Sequence, residues 1–234
     1  MEPELRPVPG GNLSGMQDVA VRQNKVLRNT YLLLAVTMIP TAIGALLGAN
    51  LNLAFLRASP IISAIAILAI FYGWIYAIER NRNSGTGVAL LLGFTLFLGL
   101  LLGPLLQSVL GLANGAQLVM LAAGGTAAVF FGLSTIATTT KRNFSAMGNF
   151  LFVGVIVLML AVVANVFLAS PLLYLVILGA FVILCSMIIL WQINSIVRGG
   201  ETNYVSATLT LYIGIYNLFS VLLQLLSIFA GERD

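Results

Sequence analysis

Seven long apolar runs separated by short polar breaks make up most of this chain, and almost no acid interrupts them. Between Arg28 and Gly231 the only acidic residues are Glu79 and Glu201, and each lies in a break. The hydrocarbon core of a bilayer, about 30 Å thick, takes about 20 apolar residues per helix. Seven runs reach that length, at 29–50, 59–78, 86–106, 116–138, 148–168, 172–197 and 204–229. They are continuous in Leu, Ile, Val, Ala and Phe, with no recurring ten-residue alternation, so membrane β-strands are excluded. The expected fold class is all-α: a polytopic membrane protein built as a seven-transmembrane-helix bundle over residues 29–229. A mostly disordered cytosolic tail is expected over 1–28, with Val19–Leu27 lying on the membrane surface, and a short periplasmic tail over 230–234.

Orientation follows from the basic residues. Nine of the eleven Lys and Arg fall on one side: Arg6, Arg22, Lys25 and Arg28 in the tail, Arg80 and Arg82 in the second break, Lys141 and Arg142 in the fourth, and Arg198 in the sixth. The other side holds only Arg57 and Arg233. The positive-inside rule then predicts a cytoplasmic N-terminus and, after seven spans, a periplasmic C-terminus in a bacterial inner membrane. Residues 1–28 hold acidic and basic side chains but no apolar h-region, so no cleavable signal is expected there. The net charge of +4 is thereby spent on topology, and no nucleic-acid partner is expected; the lipid bilayer is the first partner.

Helix-boundary chemistry supports the span ends. Ser59-Pro60 and Ser170-Pro171 each place a capping hydroxyl before a proline at the first helical position. Thr202 or Asn203 is suited to cap the last span, after the flexible Gly199-Gly200 pair. Pro40 and Gly103-Pro104 are expected to kink or end their helices.

Several function classes lack their parts. The chain has no histidine and a single cysteine, Cys185, within an apolar run. No His/Cys metal cluster, intramembrane serine protease or metalloprotease can be assembled, and no span holds an aspartate. The expectation is no enzyme, no cofactor, no catalytic residue and no metal site. Cys185 reads as a small packed hydrophobe.

Two patterns within the spans remain. Gly44-x-x-x-Gly48 and Gly99-x-x-x-Gly103 have the spacing that lets helix backbones approach closely in lipid. In the last span Thr210, Asn217 and Gln224 recur every seven residues, with Gly214 and Ser220 near the same face. Seven residues return a helix to within about 20° of its starting direction, so these groups form one polar stripe, which must face protein or water. It serves either interhelical hydrogen bonding or the lining of a water-filled cavity. Near the cytoplasmic end of span six, Gln192, Asn194 and Ser195 cluster, and Gln192 is placed to bond across to span seven.

The stretch Gly124-Gly-Thr-Ala-Ala-Val-Phe-Phe-Gly-Leu-Ser134, running on to Thr140-Lys-Arg-Asn-Phe-Ser-Ala-Met-Gly148, resembles the Bax inhibitor-1 family. So does Tyr204-Val-Ser-Ala-Thr-Leu-Thr-Leu-Tyr-Ile-Gly-Ile-Tyr-Asn-Leu-Phe219. Lys25–Tyr31 and Arg198–Tyr204 are similar to its YccA branch, the modulators of the bacterial FtsH protease. Lys141, Arg142 and Glu201 are the charged loop residues of these motifs. The resemblance implies a bundle with its last helix central and two competing functions. Many family members are pH-gated calcium leaks controlled by paired aspartates on the last two helices; the pattern places those aspartates at Gln192 and Gly214 here, where both carboxylates are missing. Without them no group titrates and a permeant divalent cation loses its charged ligands. The YccA branch implies the other function, direct binding to FtsH in competition with its membrane substrates. A disordered N-terminal handle is the physical part that an ATP-driven unfoldase needs.

Overall fold

A computed structural model describes residues 11–51, 60–144 and 146–231, with no strand among them. Among these residues seven helices follow one another: α1 (Gly11–Asn50), α2 (Pro60–Arg80), α3 (Gly85–Leu110), α4 (Gly115–Thr139), α5 (Met147–Leu168), α6 (Pro171–Val197) and α7 (Tyr204–Gly231). All seven are long and apolar enough to cross a membrane. The chain is an all-helical, multi-pass membrane bundle.

Six helices start or stop within a few residues of the runs read from sequence; α1 does not. It is already helical at Gly11 and continues unbroken into the first span, so residues 11–28 are not the disordered arm expected of them, and residues 1–10 lie outside the described residues. No proline falls between Pro9 and Pro40, and the stretch is rich in good helix formers such as Gln17, Ala20, Arg22 and Lys25. Val26 and Leu27 also pack against the bundle's main apolar cluster, which replaces the surface-lying segment expected there. Pro40 and Pro104 both sit inside helices that run on past them. Around Pro40, Thr37 Oγ1 donates to the Leu34 carbonyl at 2.6 Å and Thr41 Oγ1 to the Thr37 carbonyl at 2.7 Å, while the carbonyl that the proline frees is that of Val36.

Lipid tails are as apolar as leucine, so helices in a bilayer associate through close packing and hydrogen bonds rather than water exclusion. The glycine motifs show this most directly. Gly44 and Gly48 of α1 face Gly99 and Gly103 of α3: a Cβ on Gly44 would fall into the Leu96 carbonyl, one on Gly99 into the Thr41 carbonyl, and one on Gly103 into Gly48 itself. Backbone meets backbone along this seam. Elsewhere one cluster gathers Leu34, Ile78, Phe94, Ala137, Ile189 and Leu218, a buried residue from every helix but α5. Cys185 is buried within it. Helix α7 packs against α1, α2, α3, α4 and α6, whereas α5 touches only α6.

Caps close the polar ends. Ser170 Oγ accepts from the Leu173 N–H at 3.3 Å before Pro171. Asn203 rather than Thr202 caps α7, its Oδ1 accepting from the N–H groups of Val205 (2.9 Å) and Ser206 (3.2 Å). Ser59 lies outside the described residues.

Candidate functional site: the α6–α7 seam and the basic end of the bundle

The α2–α3 turn, the α4–α5 connection, the α6–α7 break and the start of the first span meet at one end of the bundle. Three side chains tie the connections together. Asn203, besides capping α7, donates through Nδ2 to the Arg82 carbonyl (3.2 Å) and to Asn83 Oδ1 (2.7 Å). Asn194, 1% exposed, accepts from the Phe144 N–H at 3.1 Å and donates to the carbonyls of Arg142 (3.3 Å) and Ala137 (3.4 Å). Arg198 Nη2 donates to the carbonyls of Thr140 (3.3 Å) and Arg142 (3.1 Å). The buried backbone groups of irregular segments need partners, and polar side chains from α6 and the α6–α7 break supply them here.

Glu79 closes the same end from α2. Its Oε2 accepts from Ser206 Oγ at 2.9 Å and faces Arg82 Nη1 at 3.4 Å. The Glu79–Arg82 contact is the one ion pair among the described residues; being exposed, it contributes little to stability. Glu201 turns back on its own loop, Oε1 accepting from the Asn203 N–H at 2.8 Å. Of the charged loop residues singled out in the sequence, Arg142 and Glu201 therefore join the network, Arg142 through its carbonyl, while Lys141 is exposed.

On the seam between α6 and α7, Gly214 lies against Ile189, whose Cγ1 is 3.1 Å from where a Cβ on Gly214 would sit. Gln192 is one turn further along the same face of α6, so the two positions implied to hold paired aspartates do lie on facing helices. The expected bond from Gln192 to the last helix is not made. The residue is 3% exposed and its Nε2 has no hydrogen-bond partner. Its helical neighbours Ile189, Ile193 and Ile196 are fully buried, so the amide enters an apolar environment.

The polar stripe of α7 also differs from a ladder of bonds between helices. Thr210 donates to the Ser206 carbonyl (3.2 Å), Ser220 to the Tyr216 carbonyl (2.8 Å) and Gln224 Nε2 to the Ser220 carbonyl (3.1 Å), all within α7. Short polar side chains bond readily to the carbonyl one turn back, which removes them from the interhelical pool. Only Gln224 reaches out, its Oε1 accepting from the Tyr174 hydroxyl of α6 at 2.5 Å. Asn217 is half-buried and makes no hydrogen bond to a described residue.

Side chains outside the stripe join α7 to α1 and α3: Thr208 Oγ1 donates to the Thr30 carbonyl at 3.3 Å, and two tyrosines make further bonds. Tyr212 Oη lies 2.8 Å from Thr41 Oγ1 and donates to the Thr95 carbonyl at 3.3 Å; Tyr216 donates to the Leu98 carbonyl at 3.0 Å. Their rings stack at 6.2 Å. A signal was present: two tyrosines four residues apart share a helix face, and in lipid both hydroxyls need acceptors. Among the described residues no three His, Cys, Asp or Glu side chains converge as metal ligands.

A tightly packed seven-helix bundle with a hydrogen-bonded basic end and a carboxylate-free α6–α7 seam defines the class. The chain belongs to the Bax inhibitor-1 family: the family model described as "Inhibitor of apoptosis-promoting Bax1" matches residues 23–231. Among similar proteins, an uncharacterized protein of Neisseria meningitidis is 47% identical over 91% of this chain and 94% of its own length. The Escherichia coli K12 protein named "Modulator of FtsH protease YccA" is 39% identical over 90% of this chain and 92% of its own. Its counterpart in another Escherichia coli strain, named "Inner membrane protein YccA", matches equally well.

Proposed function

We propose that this chain is an inner-membrane modulator of the FtsH protease, acting by direct binding, with its N-terminus in the cytoplasm. The observation that carries the reading is the collinear similarity, across nine-tenths of both chains, to the Escherichia coli protein named for that role. The basic end of the bundle supports the orientation, since Arg22, Lys25, Arg82, Arg142 and Arg198 all belong to the segments that meet there. Helix α1 supports the mode of contact. Its 40 residues extend about 60 Å, roughly twice the hydrocarbon thickness. A helical stem ending at Gly11 therefore reaches clear of the membrane on the side where a cytosolic protease domain works.

Affinity purification of the full chain from mildly solubilised native membranes, read by mass spectrometry, tests the reading. FtsH is expected to enrich with the full chain and to fall to background when residues 2–10 are deleted. A full-length eluate without FtsH overturns the proposal.

A cation leak is the second reading, favoured by the unpartnered Gln192 amide on the seam and by Asn217 of α7, whose side chain bonds to no described residue. With no carboxylate at 192 or 214, purified protein in liposomes is expected to pass little calcium and to show no step between about pH 6 and pH 8. A pronounced acid-to-neutral gate would place the leak first.

A further inference from the structure

A cleft of about 560 Å³ opens at the basic end between the start of the first span and the α6–α7 break, lined by Arg22, Gln23, Lys25, Val26, Gly199, Glu201 and Thr202. Neither loop bonding nor the α6–α7 seam accounts for it. We infer that this cleft is a binding site for the phosphate headgroup of an anionic membrane lipid.

Charge is the first ground. Arg22 and Lys25 are exposed, one turn apart on α1, and neither makes an ion pair or hydrogen bond with a described residue. The one acid in the lining, Glu201, turns to the Asn203 N–H of its own loop, and against its single negative charge the two cations leave the lining net positive. Shape is the second. Gly199 adopts φ 76° and a Cβ there would stand 2.7 Å from Gln23 Nε2, so glycine at this position keeps the floor low and the Gln23 amide free to donate. Two cationic groups, an amide and the Thr202 hydroxyl thus surround one space, a donor set suited to phosphate oxygens. Depth is the third. The apolar run of α1 begins at about residue 29, so Arg22 and Lys25 lie one to two turns outside it, beside the headgroup region, while Val26 packs on the bundle's apolar cluster. Basic pockets between membrane helices on the cytoplasmic side are where anionic headgroups are held.

Native mass spectrometry of the full chain, delipidated in detergent and titrated with phosphatidylglycerol or phosphatidylcholine, tests the site. Phosphatidylglycerol is expected to bind the wild type in preference to phosphatidylcholine, and binding should weaken about fivefold for each of Arg22→Gln and Lys25→Gln, the electrostatic weight of one basic side chain at an anionic surface. The double substitution Arg80→Gln, Lys141→Gln removes two exposed charges outside the cleft and should leave binding within twofold of wild type. Thr202→Glu keeps both cations but adds a repelling carboxylate, and should lower binding as well. Equal losses from the cleft and control substitutions, or none from either, would mean diffuse surface attraction and no site. Inorganic phosphate at millimolar concentration is expected not to displace the lipid; full displacement would assign the cleft to free phosphate instead.

Discussion

Gly99→Leu is expected to abolish recovery of a monodisperse protein. At this crossing the atoms that an added side chain would meet are the Thr41 carbonyl and the backbone around Ala45 and Gly44 of α1, none of which can rotate away. Overpacking against movable side chains costs about 1–3 kcal/mol, and a clash with backbone belongs at or beyond the top of that range because two helices must separate to relieve it. Separation also pulls Thr41 from Tyr212, loosening α7. Fluorescence-detected size exclusion with a thermal ramp reads the effect directly. Gly132→Leu is the matched control, since a Cβ there meets nothing within 4 Å, and it should elute and melt like wild type. A Gly99→Leu protein that did the same would mean that α1 and α3 do not cross at their glycines.

The second large effect contrasts two buried amides two residues apart on α6. Asn194→Leu removes three bonds to the end of α4 and the α4–α5 connection, leaving those from Arg198, and strips the Phe144 N–H of its acceptor. Each lost bond contributes about 1 kcal/mol and an orphaned buried donor costs about 1–3 more, so destabilisation of about 4–6 kcal/mol is expected, with faster proteolysis within 140–144. Gln192→Leu should do the opposite. Its Nε2 has no partner, and replacing an unsatisfied polar group with an apolar one of similar shape is neutral or stabilising. Melting temperatures of the two variants in one detergent decide the matter. Comparable losses would show that Gln192 is satisfied by bound water, and the cation path would then gain its first polar foothold on the seam.

Much of the architecture was legible in the residues because a bilayer imposes length and polarity with little latitude. The ends of α3 through α7, the Ser170 cap and the glycine seam all follow from local rules. Where α1 begins did not follow: proline and glycine at residues 3–15 suggested a loose arm, while the helix is held by Val26 and Leu27 packing on helices distant in sequence. The α7 stripe misled for another reason. Periodicity shows which residues share a face but not whether a hydroxyl bonds its own carbonyl or its neighbour's, and here Thr210 and Ser220 bond within α7. Tyr212 and Tyr216, which do bond across, were hidden by their apolar bodies. Asn194 and Gln192 looked alike in the sequence; only the position of the α4–α5 connection separates the satisfied amide from the orphan.

The continuity of α1 has a mechanical meaning. A pull on its N-terminal end is carried along one rod, through the thickness of the bilayer, to Gly44 and Gly48 near its far end. There the load acts along the axis, in shear, and the glycine contacts with α3 share it at once instead of peeling one after another. A molecular motor gripping this end would have to break the tightest interface in the bundle as a single event before any length of chain was released.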